Sequence, residues 1–278
     1  MAKVAVVSGS NKGIGFACVR ALCKQLKDDN AVYLTARNPE LGKKAVADLE
    51  KEGLKPRFHQ LDITKRESVQ ALRDHLKKEH GGLDILINNA GFAYKMNDTT
   101  PGPEQSKVSC EINYFGSAMV YDILSPILRS NARVVNVSSL SAQFAYDTLG
   151  EPVKEAFRNA ATREELDALV NKYVEVVASG EAEKHGFTPS TRYGFSKLGL
   201  SALTRIQNSE VQKDSSRPGI NVYSVCPGYV ATDMSSYKGH KTPDEGAVTL
   251  VWLALRPQGD KTGAGEFYSD GKVSKIFK

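Results

Sequence analysis

"KVAVVSGSNKGIG" (residues 3–15) is the stretch that decides the fold. Its apolar first half predicts a short buried strand, and glycines at positions 9, 13 and 15 follow directly. Such glycines allow a tight turn into a helix whose N-terminal amides face a pyrophosphate. A glycine triplet is also typical of an ordinary strand–helix turn, so the surrounding pattern has to decide.

That pattern alternates short apolar runs with longer amphipathic stretches. The predicted strands lie at residues 3–9, 31–37, 56–63, 83–89, 132–139, 220–226 and 265–269. Helical patterns lie between them, and one stops at Gly53, a typical helix-ending residue. Apolar strands separated by helices indicate a doubly wound (Rossmann) α/β fold with a seven-stranded parallel sheet. No repeat or flexible linker appears, so residues 1–278 are predicted to form a single domain.

One segment departs from this alternation. About fifty residues separate "NVSS" (136–139) from the helical pattern that contains Lys197. Within them, "TREELDALVNKYVEVVASGEA" starts with a capping box, Thr162 to Glu165, and continues with helical apolar spacing. The pattern predicts a helical insert at about 141–187.

Composition excludes several classes of protein. Hydrophobic residues make up 41% of the chain and charged residues 25%, which is typical of a globular protein. The formal charge of +5 is spread without a run of five like charges, so no nucleic-acid partner is predicted. No run of 18 apolar residues occurs, so no membrane span is predicted.

The cysteines and histidines bear on the cellular compartment and on metal binding. The four cysteines form no CxxC pair, and the first ten residues turn polar too early for a secretory leader. Reduced thiols and a cytoplasmic location are therefore predicted. The five histidines show no ligand spacing, so no metal site is predicted.

Two cations indicate the cofactor. An acid at the end of the second strand would accept the ribose hydroxyls of NAD, but Arg37 occupies that position, and Lys12 lies in the glycine loop. Cations at these places suit a 2′-phosphate, so NADPH is predicted. The alternative is that Arg37 is only a surface residue at a strand end.

At this point the chain resembles the short-chain dehydrogenase/reductase family over nearly its full length. The matching motifs, in order, are "SGSNKGIG", "LDI" (61–63), "NNAG" (88–91), "EINYFG" with Asn113, "NVSS", "YGFSK" (193–197) and "CPGYVATDM" (226–234). The insert, with "LTAR", "RFHQLDI", "GGLDILINNAG" and "RVVNVSS", is similar to the branch of monomeric, cytosolic, NADPH-dependent carbonyl reductases. The resemblance implies an NADP-binding reductase domain.

The resemblance also implies residue roles. The implied catalytic tetrad is Asn113, Ser139, Tyr193 and Lys197. The implied NADPH-binding residues are Gly9, Ser10, Asn11, Lys12, Gly13, Ile14, Gly15, Arg37, Asp62, Ile63, Asn89, Tyr193, Lys197, Pro227, Gly228, Val230 and Thr232. Asp62 and Ile63 would border the adenine, and Thr232 would lie near the nicotinamide carboxamide. Ser138 would point the other way from Ser139 along the strand.

Spacing alone does not identify the catalytic pair, because a tyrosine precedes a lysine by four positions at 193, 237 and 268. The first pair is followed by a helical apolar pattern. Gly239 and Pro243 place the second in a loop, and "YSDGK" carries a turn-like Asp-Gly. Only Tyr193 and Lys197 are predicted to share a helix.

The predicted chemistry is reduction of a ketone, aldehyde or quinone. Tyr193 would donate the proton to the carbonyl oxygen, and an adjacent Lys197 and the positive charge of oxidised nicotinamide are both expected to lower the pKa of Tyr193. Ser139 would hydrogen-bond the substrate oxygen. By resemblance, Asn113 would anchor a water relay from Lys197 to solvent.

The substrate pocket is predicted from aromatic and apolar residues near these groups. The candidates are Ser139, Tyr193, Cys226, Tyr229, Tyr94, Lys95, Met96 and Gln105, with Phe92, Ala142 and Phe144 beside them. Each apolar member is also compatible with core filling. The resemblance implies that Tyr94, Lys95, Met96, Gln105 and Arg192 bind glutathione adducts, although Tyr229 stands where members of that branch carry tryptophan.

Two further hypotheses remain open: a specialised hydroxysteroid or single-substrate ketone reductase, and a non-catalytic dinucleotide-sensing protein. Many family members pair through the helices on the Asn113 and Tyr193 side of the sheet. Because the insert would cover that surface, a monomer is predicted.

Overall fold

Eight strands form one sheet in the order β3-β2-β1-β4-β5-β6-β7-β8 in the computed structural model, which describes residues 2–27 and 29–277. Positions 1, 28 and 278 of the predicted domain lie outside the described residues. The strands are β1 (Val4–Val7), β2 (Ala31–Ala36), β3 (Arg57–Gln60), β4 (Leu83–Asn88), β5 (Leu128–Val137), β6 (Asn221–Cys226), β7 (Phe267–Ser269) and β8 (Lys272–Ser274). The first seven are parallel to one another, which confirms the predicted doubly wound sheet.

The predicted sheet ends at Ser269 and misses β8, which runs antiparallel to β7. Asp270 and Gly271 join the two strands with positive φ angles of 49° and 74°. A two-residue Asp-Gly connection of this kind is a typical hairpin turn. The error arose because β8 has only three residues and is largely exposed, so it leaves almost no apolar pattern.

Helices cover both faces of the sheet. They are α1 (Gly13–Gln25), α2 (Pro39–Lys51), α3 (Arg66–His80), α4 (Gly102–Cys110), α5 (Ser117–Leu124), α6 (Ser141–Asp147), α7 (Glu151–Asn159), α8 (Arg163–Ala178), α9 (Arg192–Lys213) and α10 (Pro243–Ala254). Within β1, Ala5 and Val7 pack with residues of α1, α2 and α10, while Val4 and Val6 pack with residues of α3 and α5. No helix among the described residues is long and apolar enough to cross a membrane.

Two helix features bear on the predictions. Gly53, with φ of 78°, follows the end of α2 in the predicted helix-ending position. A π-helical turn, Glu111–Gly116, joins α4 to α5. Such turns change the direction of side chains within an otherwise regular helix.

Helices α6, α7 and α8 lie between β5 and α9, in the segment predicted as an insert. The capping box of Thr162 and Glu165 is confirmed at the start of α8. The Tyr114 hydroxyl, in the π-helical turn, donates a 2.7 Å hydrogen bond to Asp167 of α8. Arg163 of α8 pairs with Asp122 of α5 at 3.1 Å. These contacts fasten α8 to the α4–α5 helix.

Residues near the C-terminal end of the described chain pack against the insert. Ile276 is buried in the same apolar cluster as the helices of the insert, and Phe277 packs against that cluster. The Phe277 ring meets Tyr146 of α6 edge-on, with ring centroids 5.5 Å apart. The Arg205 guanidinium of α9 lies 4.3 Å from the centroid of the Phe277 ring.

Candidate functional site

The predicted site residues converge on one edge of the sheet. The strand order reverses between β1 and β4, because β2 and β3 lie on one side and β5 to β7 on the other. Residues just beyond the carboxyl ends of β1, β2, β4, β5 and β6 therefore surround a crevice, which is where doubly wound folds bind ligands.

The glycine loop after β1 has the geometry of a phosphate-binding turn. Gly9 and Gly13 have positive φ angles of 60° and 58°. A β-carbon on Gly15 would lie 2.4 Å from Asn89 Nδ2 and 2.8 Å from Ser10 Cα, so only glycine fits there. The loop leads directly into α1.

Ser10 and Asn89 shape this loop from inside. Ser10 is fully buried, and its Oγ donates to the Val7 carbonyl at 2.7 Å and accepts from the Thr35 amide at 2.9 Å. Asn89 Nδ2 donates to the carbonyls of Ser8 and Gly9 at 2.9 and 3.0 Å. Both side chains thus brace the loop for the ligand.

Ser8 is a bracing residue that the sequence interpretation missed. Its Oγ accepts from the backbone amides of Asn89 and Ala90 at 3.0 and 2.9 Å. Its position directly after an apolar strand was the only signal available.

The start of α1 suits an anion. No side chain among the residues that the structure describes caps it, and its first turn carries no acidic residue. Its free amides and the helix dipole therefore favour a negative group at Gly13–Gly15. The loop residues fit the pyrophosphate of a dinucleotide.

The end of β2 presents Arg37 to solvent. It lines a depression together with His59, Gln60, Asp62, Lys65, Glu67, Ser68 and Ala71. Burial opposes ionisation of Asp62, but hydrogen bonds from Thr64, with nearby Arg37 and Lys65, outweigh it and lower the pKa of Asp62. Ile63 is buried beside the π-helical turn, against Gly116. Asn11 and Ile14 are half-buried in the glycine loop.

Lys12 and Lys95 make contacts that the sequence did not suggest. Lys12 Nζ pairs with the Asp233 carboxylate, and Lys95 Nζ donates to the Asp233 carbonyl oxygen. Asp233 lies inside the motif "CPGYVATDM" but was not among the predicted site residues.

The loop after β6 approaches the glycine loop. Pro227 and Gly228 follow the strand directly, and Gly228 has a φ of 87°. Val230 is buried, whereas Thr232 reaches Gly13: a β-carbon there would lie 3.3 Å from Thr232 Cγ2. A ligand contacting both loops is therefore enclosed between them.

Tyr193 and Lys197 lie one turn apart in the first part of α9, as predicted. Lys197 Nζ is 5.8 Å from the centroid of the Tyr193 ring. Tyr237 has a φ of 60° and lies outside any helix, and the third pair is split between β7 and β8. Of the three tyrosine–lysine pairs, Tyr193 and Lys197 alone share a helix, as the sequence predicts.

The two serines that follow β5 point in different directions. Ser138 Oγ donates to the Lys197 carbonyl at 2.9 Å, which fixes α9 on β5. The Ser139 hydroxyl lies close enough to Tyr193 to lower the pKa of its hydroxyl, and it accepts a hydrogen bond from the Ser141 amide at 3.1 Å. Ser139 is therefore the serine that faces the site.

Asn113 lies in the π-helical turn and is fully buried. Its side chain exchanges two 2.8 Å hydrogen bonds with the backbone of Phe92 and donates to Ser196 Oγ at 3.0 Å. A β-carbon on Gly91 would lie 3.1 Å from Asn113 Oδ1 and 3.3 Å from Lys197 Nζ, so these polar groups meet over Gly91. Ser196 was missed because a serine within a helix gives no distinctive signal.

Burial dominates the pKa values of Tyr193 and Lys197. It raises the pKa of Tyr193 to about 12, with Cys226 adding to the shift and Ser139 opposing it. It also lowers the pKa of Lys197 to about 8. The expectation of a lowered Tyr193 pKa is therefore wrong for the protein alone, because the loss of hydration raises this pKa more than the interaction with Ser139 lowers it.

The substrate candidates divide into exposed and buried residues. Met96, Phe144 and Tyr229 have exposed fractions of 99%, 71% and 50%, and we call these three residues the rim; the buried residues are the inner group. The inner group is Cys226, which is buried beside Tyr193, and Ala142, which is also buried.

The remaining candidates lie around the loop after β4. The Tyr94 ring meets Phe92 edge-on with centroids 4.8 Å apart. Gln105 is buried, donates to the Thr100 carbonyl at 2.8 Å and accepts from Arg192 at 3.2 Å. Gln105 of α4 and Arg192 of α9 are therefore bound to each other.

Comparison with known proteins agrees with this geometry. The family model for the short chain dehydrogenase matches residues 3–150 and 161–243, interrupted at α7 of the insert. Carbonyl reductase (NADPH) 1 of Bos taurus is 45% identical over 271 residues, which cover 97% of this chain and 97% of that protein. The Homo sapiens protein of the same name is 44% identical over 273 residues, 98% of each chain. Salutaridine reductase from Papaver somniferum superposes with a TM-score of 0.84 at 31% identity, covering 96% of this chain and 99% of that one.

Proposed function

The chain belongs to the short-chain dehydrogenase family, and from that premise we propose that it is an NADPH-dependent carbonyl reductase of ketones, aldehydes and quinones. The observation that carries the proposal is the convergence of Ser139, Tyr193 and Lys197 beside a phosphate-binding loop at the reversal of strand order. Residues 1–278 are taken as one reductase domain with its insert at about 141–187.

The cofactor is held by four groups of residues. The glycine loop 9–15 and the start of α1 bind the pyrophosphate, and Arg37 and Lys12 attract the 2′-phosphate. Asp62 and Ile63 border the adenine, and residues 227–232 hold the nicotinamide. NADPH supplies the hydride when bound; the protein orients the carbonyl and manages the proton.

Tyr193 is the proton donor. Because its pKa is raised to about 12, the hydroxyl stays protonated at neutral pH and is ready to donate to a developing alkoxide. Ser139 donates a hydrogen bond to the same oxygen and stabilises its charge. Lys197 brings a buried positive charge near the Tyr193 ring, which favours the phenolate left after donation.

Asn113 is a positioning residue in this scheme. Its hydrogen bonds to Phe92 and Ser196 tie the loop after β4 to α9. Asn113 therefore holds in place the loop at Gly91, next to which Lys197 Nζ lies. We assign to it the anchoring of the water chain that returns a proton to Lys197.

The rim favours bulky apolar carbonyl compounds. Met96, Phe144 and Tyr229 present exposed apolar surface around a polar centre, an arrangement typical of ligand pockets. Glutathione adducts would meet groups that are already engaged, since Gln105 binds Arg192 and Lys95 binds the Asp233 carbonyl. Apolar ketones, aldehydes and quinones are therefore the proposed substrates, with glutathione adducts secondary.

A monomer in the cytoplasm is the proposed state. Helix α8 is fastened over the α4–α5 helix through Tyr114, Asp167 and Arg163, so that face is covered within one chain. The four cysteines are unpaired, as in a reducing compartment. Sedimentation at micromolar concentration should give the monomer mass, and a dimer mass would contradict the proposal.

The activity is tested by NADPH oxidation with isatin, menadione and a steroid ketone. Tyr193→Phe should lose about 10²–10⁴-fold in kcat while keeping its NADPH affinity, because only the proton donor is removed. Tyr121→Phe, the same change at a buried position on α5, should leave kcat unaltered. NADPH binding without turnover of any carbonyl compound would favour the dinucleotide-sensing alternative. Turnover of the steroid alone would favour the specialised reductase.

A further inference from the structure

Three loops of the site meet at Asp233. Its carboxylate pairs with Lys12 of the glycine loop and accepts a hydrogen bond from the Tyr237 hydroxyl. Its backbone carbonyl accepts from Lys95 of the loop after β4. We call Lys12, Lys95, Asp233 and Tyr237 the Asp233 clasp.

The clasp lies where the two cofactor loops touch. Thr232, the neighbour of Asp233, faces Gly13, the neighbour of Lys12, so closely that a β-carbon on Gly13 would lie 3.3 Å from Thr232 Cγ2. A dinucleotide bound to the glycine loop and to residues 227–232 occupies the space that these contacts enclose. The ion pair therefore joins the two walls of the cleft at its opening.

Backbone conformation shows that the loop is shaped to make this contact. Ser236 and Tyr237 have positive φ angles of 53° and 60°, a region that costs free energy for residues other than glycine. The turn is held by the Tyr237 amide, which donates to the Thr232 carbonyl at 2.9 Å, and by Ser235 Oγ, which donates to the Val230 carbonyl at 2.7 Å. This strained turn brings the Tyr237 hydroxyl back onto Asp233.

We propose that Asp233 is a positioning residue that clasps the loop after β6 onto the glycine loop and thereby slows the release of NADPH. The inference rests on the proposed function, in which NADPH occupies the cleft between these loops. Neither Asp233 nor Tyr237 touches the reacting atoms. Both act through the position of residues 227–232.

An effect of charge alone predicts slower NADPH release from Asp233→Asn, whereas the proposal predicts faster release. The direction of the change therefore tests the proposal. Removing a carboxylate beside an anionic cofactor strengthens attraction to Lys12 and slows release. Opening a clasp instead speeds release. Because the ion pair is exposed, the expected acceleration for Asp233→Asn is about two- to fivefold.

The experiment is stopped-flow displacement of NADPH, followed by its fluorescence at low ionic strength. Tyr237→Phe removes one hydrogen bond without changing charge, so it should also release NADPH faster, by a smaller factor. If Tyr237 acts through Asp233, the double variant should release NADPH no faster than Asp233→Asn alone. Asp233→Glu keeps the carboxylate and should restore slow release.

Asp48→Asn is the matched control. Asp48 pairs with Lys51 on α2, and its side chain is 42% exposed, against 45% for Asp233. An unchanged or slower release in Asp233→Asn, or the same acceleration in Asp48→Asn, would overturn the clasp. If Asp233→Asn fails to fold, Tyr237→Phe decides in the same way. Failure of the parent protein to bind NADPH would instead overturn the proposed function.

Discussion

Lys197 Nζ donates a 2.8 Å hydrogen bond to the carbonyl oxygen of Val137 at the end of β5. This contact replaces only part of the hydration that the ammonium group loses on burial, and the pKa of Lys197 falls to about 8. The site therefore holds a cation at the expense of stability, as residues near reacting atoms often do.

Replacing Lys197 by methionine should make the folded protein more stable at pH 7, by about 1–3 kcal/mol. The unfolded chain keeps the ordinary lysine pKa of 10.5, so between pH 8 and 10.5 it binds more protons than the folded protein. The parent thus gains stability with rising pH in that window, and the advantage of Lys197→Met should shrink there. Denaturant titrations at pH 7 and 10 check this. A variant less stable than the parent at pH 7 would contradict the assigned burial cost.

The pH profile of carbonyl reduction should be a plateau that ends near pH 8. Below that pH the free enzyme carries both the Lys197 cation and the protonated Tyr193; above it the cation is lost, while Tyr193, with a pKa of about 12, stays protonated. Measured kcat/KM should therefore fall from about pH 8 upward, because this ratio reports groups of the free enzyme. A plateau that continues through pH 9.5 would exclude Lys197 as the titrating group.

Alcohol oxidation should have the opposite dependence, because it needs ionised Tyr193 to accept the proton. Its rate should rise with pH, and Ser139→Ala should move the rise to higher pH. The interaction with Ser139 opposes the upward shift of the Tyr193 pKa, and the variant loses that effect. An unmoved profile with a lower rate would leave Ser139 only as a ligand for the substrate oxygen.

Arg37→Asp should change cofactor preference. Arg37 is exposed at the end of β2, where it is free to form charge-assisted hydrogen bonds with a 2′-phosphate. The ratio of kcat/KM for NADPH to that for NADH should fall by about 10–100-fold, the worth of such bonds. Lys184→Asp, the same charge reversal at an exposed position beyond α8, controls for net charge. Equal use of both cofactors by the parent would remove the basis for the prediction.

Comparing Gly9 of the glycine loop with Gly53 after α2 distinguishes the cost of a steric clash from the cost of a left-handed φ angle. Both have left-handed φ angles, of 60° and 78°, but a β-carbon on Gly9 would lie 2.9 Å from Ala90, whereas none of the atoms described lies within 4 Å at Gly53. Gly53→Ala should cost about 1–2 kcal/mol of unfolding free energy. Gly9→Ala should cost more and weaken NADPH binding as well, measured by fluorescence titration. Equal costs would mean that the loop yields to the added carbon.

Local patterns predicted the parts of the molecule that depend on neighbours in sequence. The parallel strands, the capping box at Thr162 and the helix that carries Tyr193 and Lys197 all follow from periodicity and turn residues. The residues that meet across the site escaped detection. Ser8 and Ser196 are ordinary small polar residues whose partners are distant in sequence.

The shift of the Tyr193 pKa was predicted in the wrong direction for the same reason. The spacing of Tyr193 and Lys197 gives their proximity, but the depth of burial depends on the whole fold. That depth raises one pKa and lowers the other. Likewise, the interaction of Asp233 with Lys12 joins residues 221 positions apart, which no local pattern reveals.

The packing of Ile276 and Phe277 into the insert has a consequence for biosynthesis. Residues of β1 to β4 can pair as soon as they leave the ribosome, so the glycine loop is able to form early. The apolar cluster around α6 to α9 lacks two of its packing residues until position 277 has been synthesised. The packing around the proposed proton donor is therefore complete only once residue 277 exists, whereas the contacts that brace the glycine loop need no residue beyond Ala90.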